Sequence, residues 1–304
     1  MRTIAKKLTI ILALALVFTS LTACNPSKYA ESGQKIISVK QLQDYIGKEN
    51  VAIIDMQSAE DYAAGHITGA VNISKDDIVI SVPVENMLTS KTKVEKLMAA
   101  SGVSNDTTII VYDSNKMNAS RLFWTMLMYG NENVKVVDGG IEAIKAAGIA
   151  LSTEATTPTP AVYTVGEKQT QWLATAKDVT AQLNTPNPNV ALLDVRSDEE
   201  YAESGKVPSS IMSNYLSNFY ADGTFKTIET TRINYIGLDL RPEKEIIMYC
   251  QTSMRAAPVF LRLYDAGYRN IKIYDGAFLE WSSNPNNPID RPSGAAAPSA
   301  KDAS

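Results

Sequence analysis

Cys250 is the residue of this chain best placed to act as a nucleophile. It follows the apolar run Ile246–Tyr249 and precedes the polar turn Gln251–Met254 and then Arg255. The apolar run reads as a buried strand, and open α/β sheets carry their ligand sites at the carboxyl ends of such strands. A helix beginning near Met254 would present unpaired N–H groups, which favour a thiolate. Arg255 adds a fixed positive charge that we expect to hold an anionic substrate.

The other cysteine, Cys24, ends a targeting segment. A basic start is followed by an apolar run too short to span a bilayer comfortably and then by small residues, which is typical of a secretory signal. The basic residues are Arg2, Lys6 and Lys7, and the apolar run is Leu8–Val17. The sequence Leu21-Thr22-Ala23-Cys24 is similar to a bacterial lipobox, in which the cysteine is lipidated after cleavage. We therefore expect an exported protein anchored to a bacterial cell membrane through Cys24, although an ordinary signal with a chance cysteine is the alternative.

Lipidation of Cys24 would make Cys250 the only thiol. The chain has two cysteines, so no intramolecular disulfide could then form. An unpaired thiol is a liability in an oxidising compartment, and a chemical role would explain its presence.

The chain contains an internal duplication that places these residues on elements. Three pairs of segments recur at nearly constant spacing: Val51–Asp55 with Val190–Asp194, Ile109–Asp113 with Ile246–Cys250, and Asp138–Gly139 with Asp275–Gly276. In both copies, apolar runs of about five residues alternate with stretches of helical pattern. This alternation predicts an α/β fold in which each copy has a central, mostly parallel sheet flanked by helices.

The duplication also predicts the domain boundaries. A chain of 304 residues has room for two domains of ordinary size. The expected divisions are a signal peptide at 1–23, a first domain at 36–150, a linker at 151–175, a second domain at 176–290 and a disordered tail at 291–304. Ser58 and Ser90 are predicted to cap helices, and 118–129 is predicted to be a helix with an apolar face.

Both copies resemble the rhodanese family, in particular its tandem sulfurtransferases, over about residues 36–290. In the first copy the matching segments are Asp55, Tyr62, Gly65–Ala70, Arg121, Trp124 and Asp138–Gly140. In the second copy they are Asp194–Arg196, Tyr201, the loop Cys250–Ala256 and Tyr274–Gly276. The resemblance implies two tandem rhodanese-like domains, of which the second is catalytic through Cys250. The first would be non-catalytic because Asp113 stands at its cysteine position.

The resemblance also implies a substrate-binding loop and a reaction. The loop residues are Gln251, Thr252, Ser253, Met254 and Arg255, with Asp194 and Arg196 as supporting residues. The expected reaction is a double displacement, in which the Cys250 thiolate takes sulfane sulfur from a thiosulfate-like or mercaptopyruvate-like donor. The resulting persulfide passes the sulfur to a thiophilic acceptor such as cyanide or a thiol. This mechanism needs no cofactor, and no metal-spaced cluster or Ser, His and Asp set suggests another.

Three departures from the family pattern leave other functions open. Met56-Gln57 replaces the family's x-Arg, Gly205–Ser210 is an altered second signature, and Ser253 stands where many members have glycine. A sulfur carrier or binding module that does not turn over would explain these changes. A cysteine-dependent phosphatase is disfavoured, because such loops place five residues between Cys and Arg and this one has four. The net charge of −4 and the lack of a basic run after residue 8 argue against a nucleic-acid partner.

Overall fold

The computed structural model describes residues 29–292, which form two α/β domains of the same architecture. The first contains β1 (Ile36–Ile37), α1 (Val39–Leu42), β2 (Val51–Asp55), α2 (Ala59–Ala64), β3 (His66–Ile67), β4 (Val71–Asn72), β5 (Val79–Ile80), β6 (Met87–Leu88), α3 (Lys91–Ala100), β7 (Thr108–Tyr112), α4 (Asn118–Met128), β8 (Val134–Val137), α5 (Gly140–Ala146) and β9 (Leu151–Ser152). The second contains β10 (Leu173–Ala174), α6 (Ala176–Asn184), β11 (Val190–Asp194), α7 (Asp198–Ser204), β12 (Ile211–Met212), α8 (Ile228–Gly237), β13 (Glu245–Tyr249), α9 (Ala256–Asp265), β14 (Ile271–Tyr274) and α10 (Ala277–Ser283). Short 3-10 turns occupy Lys75–Asp77, Thr170–Trp172 and Tyr215–Asn218.

Each domain is built on a five-stranded parallel sheet, as the duplication predicts. The strand orders are β1-β8-β7-β2-β4 and β10-β14-β13-β11-β12, and every pairing within them is parallel. The registers correspond, since Asp55 pairs with Tyr112 and Asp194 with Tyr249. Strands β7 and β13 are therefore central, and the loops that follow them, with Asp113 and Cys250, lie at equivalent sheet edges.

Local capping chemistry fixes where several helices begin. Ser58 and Ser90 accept hydrogen bonds from the N–H groups of Asp61 and Lys93, which confirms both predicted caps. The helix predicted at 118–129 is α4, in which every residue after Asn118 is buried. Helix α9 is likewise buried throughout, because α4 and α9 pack against each other across the domain interface.

The packing of α4 on α9 joins the two domains into one body. Phe123 of α4 meets Tyr264 of α9 edge to face, with ring centroids 5.6 Å apart. A single hydrophobic core includes buried residues of both domains around this helix pair. Because each helix directly follows the loop after a central strand, the Asp113 and Cys250 loops are brought close to this interface.

The range 151–175, predicted as a linker, has strands at both ends. Strand β9 pairs with β3 of the first domain, and β10 pairs with β14 of the second. The intervening stretch 153–169 lacks helix or strand and packs on the first domain, where Tyr163 and Val165 are buried. Isolated apolar side chains in a segment rich in Thr and Pro carry no periodic signal, so this packing was not visible in the sequence.

The N-terminal segment before β1 lies against the second domain. The N–H of Ala30 donates to the carbonyl of Gly267 at 2.9 Å, and that of Gly33 donates to the carbonyl of Asp265 at 2.8 Å.

The predicted signal peptide with Cys24, and the predicted tail from residue 293 onward, lie outside the described residues. Within residues 29–292, no helix has the length and apolar character needed to cross a membrane.

Candidate active site

Cys250 lies at the carboxyl end of the central strand of the second sheet. Its side chain is buried, with 1% relative exposure, and its carbonyl accepts a hydrogen bond from the N–H of Phe278 at 2.9 Å. The helix expected near Met254 begins at Ala256, two residues later. The shift arises because Met254 and Arg255 form a turn, in which the carbonyl of Met254 accepts from the N–H of Ala257.

The loop after Cys250 needs a left-handed residue, and Ser253 supplies it. Ser253 has φ +61°, and a left-handed backbone at a residue other than glycine costs about 1–2 kcal/mol. Its hydroxyl is fully buried, accepts from Arg121 Nη1 at 2.9 Å and donates to Asp275 Oδ1 at 3.1 Å. A glycine would relieve the strain but could make neither hydrogen bond, which explains a serine here.

Arg121 reaches this loop from helix α4 of the first domain. It is fully buried and forms an ion pair with Asp275 at 2.9 Å, and its guanidinium stacks 4.4 Å from the ring centroid of Trp124. It also donates to the carbonyl of Asn86 at 2.8 Å. In the sequence, Arg121 and Asp275 each lie in a segment that resembles the family pattern, but nothing there indicates that they meet across the domain interface.

Asn86 is a second contact from the first domain to the loop. Its side-chain amide donates to Thr252 Oγ1 at 3.0 Å, while its own Oδ1 accepts from Lys75 at 3.1 Å. Thr252 and Ser253 are therefore both held by residues of the other domain. The placement of the Cys250 loop thus depends on both domains.

Arg255 has a carboxylate partner that the sequence analysis missed. Its two terminal nitrogens donate to the two oxygens of Glu200 at 2.5 and 2.7 Å. These two hydrogen bonds are the main reason that the pKa of Arg255 is raised, and the neighbouring Cys250 adds to the effect. In the sequence, Glu200 lies three positions after Ser197, which is the spacing of a capping box at the start of a helix. This spacing gives no sign that Glu200 also pairs with Arg255.

Asp194 and Arg196 form a buried ion pair behind the loop. Arg196 Nη2 lies 2.6 Å from Asp194 Oδ2 and 2.7 Å from the carbonyl of Gly205. The guanidinium also sits 3.8 Å from the ring centroid of Phe278, the residue whose N–H holds the Cys250 carbonyl. These contacts place Arg196 as a brace for the segment that supports Cys250.

The first domain fills the equivalent position with Gln57. Its amide nitrogen donates to Asp55 Oδ2 at 3.0 Å and to the carbonyl of Gly65 at 3.4 Å, so it repeats the two contacts of Arg196 without the charge. Burial without a cationic partner raises the pKa of Asp55. The substitution of Gln for Arg therefore preserves the backbone arrangement of the first domain while removing its positive charge.

Asp113 occupies in the first domain the position that Cys250 has in the second. Its Oδ1 accepts from the N–H of Lys116 at 3.0 Å, and its Oδ2 accepts from the N–H of Ala119 at 2.9 Å. Lys116 is left-handed, with φ +67°, and corresponds to Ser253 in the duplication. The Asp113 carboxyl group thus accepts from one N–H group of its own loop and from one in the first turn of α4.

His66, the only histidine, is a packing residue of the first domain. Its ring stacks on Tyr62 with centroids 3.7 Å apart. Its two ring nitrogens lie 2.7 Å from the carbonyl of Tyr62 and 3.0 Å from that of Glu154. Both nitrogens are engaged with backbone, which leaves His66 no part in the candidate site.

A cavity of about 630 Å³ lies where the loops of the two domains meet. Its walls include Met56, Gln57, Asn86 and Asn118 of the first domain and Met254 of the Cys250 loop. The cavity is lined by thioethers, amides and hydroxyls together with Asp61 and Lys75. It gives small molecules access to the interface beside the loop.

Comparisons with known proteins identify the same two-domain arrangement. The sequence model of the rhodanese-like domain matches residues 38–147 and again residues 175–284. "Sulfur carrier protein TtuD" of Thermus thermophilus is 29% identical over 275 residues, which cover 84% of this chain and 95% of that protein. "Thiosulfate sulfurtransferase YnjE" of Escherichia coli is 26% identical over 248 residues, which cover 75% of this chain and 56% of that protein.

A solved structure agrees in fold. The crystal structure of YnjE superposes with a TM-score of 0.75 at 22% identity, covering 84% of this chain and 68% of that chain. At this level of identity the likeness supports the fold alone. Taken with the two domain matches and the named relatives, it shows that this chain belongs to the rhodanese family, as a tandem-domain member related to sulfurtransferases.

Proposed function

We propose that this protein transfers sulfane sulfur through a persulfide on Cys250. The observation that carries the proposal is the internal copy of the loop. In the first domain, N–H groups of Lys116 and Ala119 donate to the Asp113 carboxyl group, so a loop of this shape directs N–H donors at the side chain of its first residue. Ser253 and Ala256 are the corresponding residues of the second domain.

The equivalent N–H groups of the second domain would stabilise sulfur on Cys250. Ser253 repeats the left-handed backbone of Lys116, so the N–H groups of Ser253 and Ala256 are expected to surround the cysteine side chain. Hydrogen bonds to an anion from N–H groups at a helix start favour the charged form of that group. A thiolate and a persulfide are both such anions, whereas a neutral core thiol would gain nothing from this loop.

The reaction proceeds in two displacements. The Cys250 thiolate attacks the transferable sulfur of the donor and a Cys250–S bond forms. The bond that joins this sulfur to the donor breaks, S–S in thiosulfate or a persulfide and C–S in mercaptopyruvate, and its electron pair leaves on the donor fragment. The outer sulfur of the persulfide is then attacked by a thiophilic acceptor, such as cyanide or a thiolate. Its S–S bond breaks, and the electron pair returns to Cys250 as thiolate.

Mass spectrometry of the intact protein tests this proposal. Treatment with thiosulfate, mercaptopyruvate or a persulfide donor should add one sulfur atom, and cyanide should remove it as thiocyanate. The proposal fails if none of these donors adds a labile sulfur. It also fails if Cys250 instead supports hydrolysis of an aryl phosphate.

A sulfur carrier is the second candidate function. The thiol of Cys250 is 1% exposed, and one relative is named a sulfur carrier. A carrier would form the same persulfide and could lose that one sulfur to cyanide, but it would not be reloaded and discharged repeatedly by small molecules. Steady-state formation of thiocyanate distinguishes the two, because an enzyme produces many equivalents per protein and a carrier produces about one.

Replacing Asp113 with alanine tests its role as a helix cap in the first domain. We expect Asp113→Ala to lower the free energy of unfolding by about 1 kcal/mol, because two N–H groups lose their acceptor. Burial raises the pKa of Asp113 in the folded protein, so the folded state holds that proton more tightly than the unfolded chain. The stability gap between the wild type and the variant should therefore widen as pH falls through this raised pKa.

Chemical denaturation at several pH values measures both effects of Asp113→Ala. Sulfur transfer by the folded variant should remain detectable. Complete loss of transfer in a folded variant would show that the first domain takes part in the chemistry.

We propose further that the protein is exported and held at a bacterial membrane by lipid on Cys24. The ring of Tyr29, five residues after Cys24, packs edge to face on Tyr268 with centroids 5.5 Å apart. Arg232 of α8 lies 3.9 Å from the centroid of the same ring. A lipid on Cys24 would therefore keep the second domain close to the bilayer.

Replacing Cys24 with alanine tests the lipid anchor. Cys24→Ala should move the protein from the membrane fraction to the soluble fraction or block its processing, because the variant has no thiol to lipidate. Fractionation and the mass of the mature protein are the measurements. Unchanged fractionation together with an unchanged mature mass would rule out the anchor.

A further inference from the structure

The two guanidinium groups that hold the Cys250 loop are both neutralised by carboxylates. Arg121 is paired with Asp275 at 2.9 Å, and both side chains are buried. Arg255 is paired with Glu200 through two hydrogen bonds, with side-chain exposures of 23% and 29%. The other loop residues, from Gln251 to Met254, are uncharged. Carboxylates therefore balance both guanidinium charges at the loop, and no net positive charge remains to attract an anionic donor.

Glu200 is held in place independently of Arg255. It is the third residue of α7, where its Oε2 accepts from the N–H of Ser197 at 3.1 Å and its own N–H donates to the Ser197 hydroxyl at 3.3 Å. Although partial burial alone would raise the pKa of Glu200, the hydrogen bonds from Arg255 and Ser197 lower it. The carboxylate therefore remains ionised near neutral pH and occupies both terminal nitrogens of Arg255.

We infer that Glu200 determines donor specificity by neutralising Arg255, so that the site favours sulfur donors with a single negative charge over the dianion thiosulfate. This inference rests on the proposed sulfur transfer through Cys250. A donor oxyanion can reach the terminal nitrogens of Arg255 only by competing with Glu200. A dianion approaching a thiolate beside an ionised carboxylate meets more repulsion than a monoanion does.

Two donors with the same reacting bond isolate the effect of charge. Thiosulfate carries two negative charges, and methanethiosulfonate carries one because a methyl group replaces an oxygen. In each case the Cys250 thiolate attacks the terminal sulfur and the S–S bond breaks. Sulfite or methanesulfinate then leaves with the electron pair, and the Cys250 persulfide is formed.

The experiment compares kcat/KM for the two donors in the wild type and in Glu200→Gln, with cyanide as acceptor. The expected result is that the ratio of kcat/KM for thiosulfate to that for methanethiosulfonate rises about tenfold in Glu200→Gln, because a full positive charge on Arg255 is released. Glu199→Gln is the matched control, since Glu199 is exposed, lies next to Glu200 and changes net charge equally. Its ratio should stay within about twofold of the wild type, as expected for a solvated charge.

A conservative variant separates charge from structure. Glu200→Asp keeps the negative charge but shortens the side chain, so its donor ratio should remain close to that of the wild type even if both rates fall. The inference is overturned if Glu200→Gln changes both donors by the same factor, or if Glu199→Gln shifts the ratio as much. A wild type that gains sulfur from neither of these donors, nor from mercaptopyruvate or a persulfide donor, would instead refute the proposed function itself.

Discussion

Replacing Cys250 with serine is expected to abolish persulfide formation and thiocyanate production together. The rate of sulfur transfer should fall by at least about 10³-fold, because a hydroxyl is neither ionised nor sufficiently nucleophilic near neutral pH. The fold should be preserved, since serine is slightly smaller than cysteine and the backbone contact of residue 250 with Phe278 does not involve the side chain. Intact-protein mass spectrometry and a thiocyanate assay measure the two losses.

The control for Cys250→Ser is the thermal unfolding of the same variant. A melting temperature close to that of the wild type, with no sulfur gained, assigns the loss to the nucleophile. Transfer that persists in Cys250→Ser would contradict the assignment, because Cys250 is the one free cysteine among residues 29–292. In that case Cys24 of an unprocessed chain would be the next thiol to test.

Removing Arg121 is expected to destabilise the protein more than any exposed charge would. Arg121→Ala leaves the Asp275 carboxylate buried without its cation and removes the hydrogen bonds to Ser253 and Asn86. Breaking one partner of a buried ion pair costs about 3–5 kcal/mol. Because the left-handed Ser253 depends on the same contacts, sulfur transfer by the remaining folded protein should fall as well.

Denaturant unfolding followed by fluorescence measures the loss of stability in Arg121→Ala. Arg121→Lys keeps the charge but cannot bridge Ser253, Asp275 and Asn86 as the planar guanidinium does, so its stability should be intermediate. The matched control is Lys145→Ala, which breaks an exposed pair with Glu142 and should cost less than about 1 kcal/mol. A loss below about 1 kcal/mol in Arg121→Ala would show that this network does not hold the domains together.

This network also shows how the two domains differ in their contacts despite their shared architecture. Arg121 of the first domain supports the loop of the second, while Asp113 closes the first domain's own loop. Gln57 replaces the arginine that braces the second domain. Arg121 of the first domain thus supports the Cys250 loop of the second.

The sequence by itself determined the fold and the position of Cys250 in it. In both copies, apolar runs of constant length alternate with helical patterns. They specify two parallel sheets, because the spacing of apolar residues along the chain distinguishes buried strands from helices. Caps such as Ser58 and Ser90 are equally local, since donor and acceptor lie three residues apart. The placement of Cys250 at a strand end follows from the same patterns.

Only the tertiary structure decided which charges surround Cys250. Arg121 and Asp275 lie 154 residues apart, and Arg255 and Glu200 lie 55 residues apart, so no periodic signal links them. Their contacts depend on how α4 packs on α9 and on where α7 places its first turn. In the sequence, Glu200 reads as a helix cap and Arg255 as an available cation, because a pattern of residue types records local spacing and not which side chains meet after packing.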